Sequence, residues 1–210
     1  MRQICVCIIG LFLFAATAHA QLSFGPRAGA NYAKIAFKSP NFKASYLFGF
    51  YGGVFANYKL NDHLSGELEV NYAAEGTKEQ ATTNTGKGHI NTGNLQIPLL
   101  VQYHTKMGWY AEAGPQIGFL LSIRETFSSI NGNNSTNIKQ YYNSTEFRTP
   151  IGIGYVFPAD SKLTGLGINA RYSFSYSAIN KQSVGGDKLK ASVFSLGAYY
   201  KIPVNLFHKK

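Results

Sequence analysis

The sequence predicts an all-β fold, an eight-stranded antiparallel up-and-down transmembrane β-barrel, and three observations carry that expectation. Apolar residues recur at every second position through most of the chain. In 165–179, Leu166, Ile168, Ala170, Tyr172, Phe174, Tyr176 and Ala178 share one parity, and Gly167, Asn169, Arg171, Ser173, Ser175 and Ser177 the other. Strand side chains alternate between faces, so this segment has one apolar and one polar side. The connections between such segments alternate short and long, and the chain opens with an export signal.

That signal is the first element. Arg2 precedes an apolar run from Ile4 to Ala16 and then Ala18-His19-Ala20, which reads as a secretory signal peptide over residues 1–20, cleaved before Gln21. An apolar core of roughly thirteen residues is too short for a spanning helix. Cys5 and Cys7 lie at the start of that run, where no lipoprotein processing motif places a cysteine, and both leave with the signal. The mature chain of about 190 residues then has no cysteine, so it enters an oxidising space without disulfides and depends on its sheet and core. No later apolar run approaches eighteen residues, which excludes a transmembrane helix.

Eight strands follow, at 24–36, 47–60, 64–75, 94–104, 109–124, 147–157, 165–179 and 192–202. The third has Leu64, Leu68, Val70, Tyr72 and Ala74 on one face and Ser65, Glu67, Glu69 and Asn71 on the other. In the fourth, Leu95, Ile97, Leu99, Val101 and Tyr103 oppose Gln96, Pro98, Leu100, Gln102 and His104. Short connections at 61–63, 105–108 and 158–164 alternate with long ones at 37–46, 76–93, 125–146 and 180–191, which are rich in Asn, Ser, Thr, Gly and Lys. Short turns on one rim and long loops on the other form the pattern of an outer-membrane barrel, with the turns and both termini periplasmic and the loops extracellular. A barrel domain over 21–202 and a short periplasmic tail over 203–210 complete the expected organisation.

A soluble eight-stranded carrier barrel also alternates and also follows a signal peptide. Against it stand polar faces built of Gly and Ser, a charged content of only 14%, and strands long enough to cross a tilted hydrocarbon layer. Aromatic residues near strand ends, namely Trp109, Tyr110, Tyr155, Phe157, Tyr176 and Tyr200, are expected to form interfacial girdles. The apolar faces therefore meet lipid, and the polar faces fill the narrow interior with side chains.

That interior is where the candidate functional residues fall. Arg27, Glu67, Glu69, Glu112, Arg124, Arg148 and Arg171 all occupy polar faces. A buried charge must be paired or hydrated. They read either as a structural ion-pair plug or as the lining of a narrow, charge-selective channel for ions or small solutes. Arg27, Glu67, Glu112 and Arg171 are expected close together, because counting up each strand from its short turn places them within one or two layers.

The formal charge of +10 is scattered, with no nucleic-acid-binding motif. Lysines in the long loops, including Lys38, Lys43, Lys78, Lys87, Lys139, Lys181, Lys188 and Lys190, outnumber the acids there. They read as ordinary loop solubility or as attraction to lipopolysaccharide phosphates. Gly165-x-Gly167-x-x-Ala170 matches a dinucleotide-binding pattern, yet it opens a strand where that pattern needs a helix. Among the histidines only His89 lies in a long loop; His63 and His104 belong to the turn rim and His208 to the tail. No spacing supports a metal site or a catalytic set, and no enzyme activity or cofactor is expected.

"GPRAGANYAKI" (25–35), "LQIPLLVQYH" followed by "WYAEAGPQIGFLLS" (95–122), "LGINARYSFS" (166–175) and "FSLGAYYKI" (194–202) resemble the PorT-type outer-membrane β-barrel domain of porin-family proteins in Bacteroidetes-like bacteria. The resemblance spans essentially the whole mature chain. It implies an integral outer-membrane protein, monomeric, surrounded by outer-membrane lipid and lipopolysaccharide, with no shared catalytic residues and with a secretion-system or extracellular protein as a possible partner. It also implies a C-terminal signal read by the barrel-insertion machinery. Ser195, Gly197 and Tyr200 fit that signal, with Ile202 where an aromatic residue normally stands and Pro203 ending the ladder.

Overall fold

The structure, a computed structural model, describes residues 21–36, 42–81, 87–129, 132–158, 160–181 and 189–204. Residues 1–20, expected to be a signal peptide, lie outside the described residues, as do Lys38, Lys188, His208 and most of the expected tail over 203–210. In chain order the strands are β1 (Leu22–Ala36), β2 (Phe42–Lys59), β3 (Leu64–Ala81), β4 (Lys87–His104), β5 (Trp109–Ala113), β6 (Gln116–Ser129), β7 (Gly132–Asn137), β8 (Thr145–Val156), β9 (Leu166–Ser175), β10 (Lys190–Tyr200) and β11 (Ile202–Pro203).

Every strand pairing is antiparallel, and each main strand pairs with its sequence neighbours. The ring closes where β1 meets β10, with Arg27 opposite Tyr199 and Ile35 opposite Ala191. β5 and β6 act as one stave broken at Gly114-Pro115, since both lie between β4 and β8. Pro115 has no N–H to give. The stave holds across the break because the amide of Leu99 donates to the Pro115 carbonyl at 2.9 Å. With β5 and β6 counted together, eight staves form an up-and-down barrel; β7 extends β6 at one rim, and β11 pairs Ser23 and Phe24 of β1 at the other.

The short turns fall at the expected places. In the first, Asn61 Oδ1 accepts from the amides of His63 and Leu64, each at 2.8 Å. The second and third each turn on a glycine with positive φ, Gly108 at 89° and Gly165 at 83°.

The long connections differ from the sequence reading. Much of 76–93 and 125–146 is strand: β3 runs to Ala81, β4 starts at Lys87, and their ladder continues from Ala74 opposite Gly93 to Gln80 opposite Lys87. Backbone pairing needs no apolar side chain, so a polar composition reads as loop while the ladder carries on. β2 likewise starts at Phe42. β9 stops at Ser175, short of 179, where Ser177 Oγ accepts from the Phe147 amide. The ladder with β1 also runs past the expected end, as Pro203 pairs with Ser23.

The wall is inverted relative to a water-soluble fold. Phe48 is 69% exposed and Leu99 57%, whereas Glu69 is 0%. A fold surrounded by water places such residues the other way round. Trp109 and Tyr110, both expected outside, take opposite faces as strand neighbours must. Trp109 is half exposed and Tyr110 buried. Tyr110, Phe55 and Tyr199 pack with Val156 as an apolar layer inside the turn rim, and their rings lie against Gly154 and Gly167, where a Cβ would collide. A second apolar layer of Ile35, Ile90, Ile123, Ile138, Ile179 and Leu189 fills the opposite, hairpin rim.

Candidate functional site

The side chains between these two apolar layers are mainly polar. On β3 every second residue points inward, bringing Ser65, Glu67, Glu69, Asn71, Glu75 and Thr77 into one buried row. β1 supplies Arg27, β5 Glu112, β8 Arg148 and β9 Arg171, all buried.

The charges form two groups. In the first, Arg171 forks onto Glu69, with Nη1 and Nη2 donating to Oε2 and Oε1 at 3.1 and 2.9 Å. Its Nε donates to Glu112 Oε1 at 2.9 Å. Arg27 contacts Glu69 and lies 3.7 Å from Glu67, with its guanidinium 5.4 Å from the centroid of the Tyr51 ring. Glu67 and Glu112 are steadied from the turn-rim side: Asn57 Nδ2 lies 3.0 Å from Glu67 Oε2, and Gln102 Nε2 donates to Glu112 Oε2 at 3.1 Å. Lys201, which the sequence reading passed over, reaches Asn57 Oδ1 at 3.1 Å. It supplies a third cation beside three carboxylates. The second group lies nearer the hairpin rim, where Arg148 bonds Glu75 at 2.8–2.9 Å and Glu146 at 2.7 Å.

Of the residues singled out in the sequence, Arg27, Glu67, Glu69, Glu112 and Arg171 come together, and Arg148 belongs to the second group. Arg124 does not join either. Gly93 pairs with Ser122 and Asn94 with Leu120, so Leu121 is an extra residue, a β-bulge, in β6. The inserted residue reverses the alternation: Gln116 and Gly118 face in before it and Ile123 after it, which leaves Arg124 exposed on the outer wall. Glu146 was missed because it was assigned to a loop, and Glu75 because it stands at the very end of the expected third strand, where the alternation was not followed further. Continuing the parity of Glu67, Glu69 and Asn71 by two more steps finds Glu75.

At the hairpin rim, beyond the apolar belt, burial with Glu125 nearby pushes the Glu79 carboxyl up to about 7. Burial likewise raises Glu125 and takes Tyr142 up to about 12. At the turn rim, Lys59 bonds Asp62 at 2.8 Å and holds its carboxyl below the ordinary value. His104 Nε2 lies 2.9 Å from Ser65 Oγ, and His63 Nδ1 lies 3.0 Å from the His104 carbonyl. Among the described residues no three His, Cys, Asp or Glu side chains group as metal ligands. His89 sits on β4 opposite Lys78 and Thr126.

Of the residues that the resemblance marks as an insertion signal, Ser195 donates to Asn31 Oδ1 at 2.9 Å. Gly197 makes room for the Tyr51 ring, Tyr200 is exposed, and Ile202 pairs with Phe24.

Residues 14–179 match the family described as "Outer membrane protein beta-barrel domain". The match ends before β10, which closes the ring. The fold is similar to the attachment invasion locus protein Ail of Yersinia pestis, at 15% identity and a TM-score of 0.47, covering 87% of this chain and 99% of that one. It is similar to Neisserial surface protein A at 16% and 0.49, covering 85% and 97%. It is also similar to OprG from Pseudomonas aeruginosa at 17% and 0.43, covering 88% and 98%. A search of the curated proteins finds no match.

Proposed function

The chain belongs to the outer membrane protein β-barrel domain family, and from that premise we propose that it is a sealed, monomeric barrel with a structural or interaction role. The hairpin rim faces the outside of the cell, and the turns and both termini face the periplasm. The PorT-type resemblance makes a secretion-system or extracellular protein the partner class of this reading. Ser195, Gly197, Tyr200 and Ile202 are the segment that the insertion machinery reads.

The observation that carries the proposal is the filling of the interior above a vestibule of about 330 Å³ that opens at the turn rim beside Asn57, Ser65, His104 and Lys201. An aromatic layer, two ion-pair groups and an aliphatic layer succeed one another. Beside Arg148 a cavity of about 40 Å³ remains, room for a water or two but not for a solute path. An eight-stranded barrel has space for side chains and little else. Planar-bilayer recording of the purified protein tests this: the expected trace is silent. Steady openings whose ion selectivity changes with Arg171→Ala or Glu112→Ala would establish the narrow channel instead.

A further inference from the structure

The outer wall of β3, β4 and β6 changes character at one level. Toward the turn rim its outward residues are apolar, among them Val70 and Tyr72 on β3, Leu95 and Leu99 on β4, and Phe119 and Leu121 on β6. Toward the hairpin rim they are polar or basic. The register aligns Gly76, Asn91 and Arg124 in one row and Lys78, His89 and Thr126 in the next. Arg124 is exposed, and among the described residues it has no hydrogen-bond or ion-pair partner. The bulge at Leu121 is what turns it outward.

A groove of about 600 Å³ runs beside Arg124 over the small residues Gly49, Ala74 and Gly93, between Phe48, Phe50 and Tyr72. Asn91, Thr92, Ser122, Thr126 and Ser135 line its polar side. Glu75 backs the groove, but its carboxylate is held by Arg148 on the inner side of the wall. The outer surface thus offers a guanidinium with no partner among the described residues, beside a trough whose one side is the apolar wall of Phe48, Phe50 and Tyr72, at the border of the lipid belt.

We propose that this is a binding site for a phosphorylated glycolipid of the outer leaflet, with one phosphate on Arg124 and an acyl chain in the groove. The planar guanidinium fork matches phosphate oxygens, and the pairing strengthens beside hydrocarbon, where the local dielectric is low. Lys78 stands two strand spacings across and one row further toward the hairpin rim, about 12 Å away along the backbone, and its long side chain brings it within reach of a second phosphate on the same headgroup. The site meets the outer leaflet only if the hairpin rim faces outside, so it rests on the orientation proposed above.

Native mass spectrometry of the detergent-folded protein tests the site, with diphosphoryl lipid A, monophosphoryl lipid A and phosphatidylglycerol as probes. The wild type should prefer them in that order. Arg124→Glu should weaken lipid A retention roughly tenfold and Lys78→Glu less, while Lys106→Glu, on the opposite rim, should leave it unchanged. Arg124→Gln removes the charge at similar length and serves if the glutamate variant fails to give the compact band of a folded barrel on a cold detergent gel. Retention of lipid A by a folded Arg124 variant as tight as that of wild type overturns the proposal, as does equal binding of phosphatidylglycerol. Micelles have no sidedness, so an inverted topology leaves this result untouched. It shows separately, as labelling of Asp62→Cys from outside intact cells.

Discussion

Arg171 stands between Glu69 and Glu112 in a space that water does not reach freely, and this is the contact on which the lower ion-pair group turns. Removing one member leaves a buried partner short of its counter-charge, at a cost of up to about 3–5 kcal/mol, whereas replacing a charged pair together costs much less. Arg171→Met and Glu112→Gln, made singly and together, should therefore be non-additive in thermal unfolding in detergent. The double variant should retain about 1–3 kcal/mol more than the sum of the singles allows. Additive losses would contradict a direct pairing. Arg171→Met should also cost more than Glu112→Gln, because it strands Glu69 as well, although Arg27 still contacts that carboxylate.

At the scale of the strand, the alternation of faces was legible wherever it ran unbroken. β3, β4 and β9 keep the parity read from Leu64–Ala74, 95–104 and 166–175. Phase errors arose where a residue was inserted, because a bulge shifts the alternation without leaving a compositional mark; Arg124 follows Leu121 in this way. Strand ends were the other weak point, since the pairing of Thr77, Lys78 and Glu79 with Ile90, His89 and Gly88 rests on backbone bonds. That same extension sets up a pH response. Glu79, raised to about 7 from an ordinary 4.5, keeps in the folded hairpin a proton that the unfolded hairpin has already lost. Raising the pH through that window therefore weakens the hairpin, and above about 7 the penalty levels off. Carboxyl NMR should place the Glu79 midpoint near 7. Amide exchange at Thr77 and His89 should quicken from pH 5.5 to 8 by more than its intrinsic rate predicts, and Glu79→Gln should remove the excess. A midpoint at the ordinary value would contradict the burial.

In the whole molecule, the proposed role requires that lipid surround the apolar faces and that the barrel's middle be closed to both water and lipid. The alternation, the missing transmembrane helix and the short turns made the outward half of that requirement legible in the sequence. The apolar layer at the hairpin rim was not, because Ile35, Ile90, Ile123, Ile138, Ile179 and Leu189 are scattered along the chain and meet only when the ring closes. The most direct measurement is spin-label accessibility along β9 in lipid vesicles, one site at a time from Gly167 to Phe174. Ile168, Tyr172 and Phe174 should be relaxed by oxygen, which concentrates in lipid, and Asn169 and Ser173 by neither oxygen nor a water-soluble nickel chelate. Strong relaxation of Asn169 and Ser173 by the chelate would mean an open channel, and of Ile168, Tyr172 and Phe174 a water-soluble barrel; either result contradicts the account.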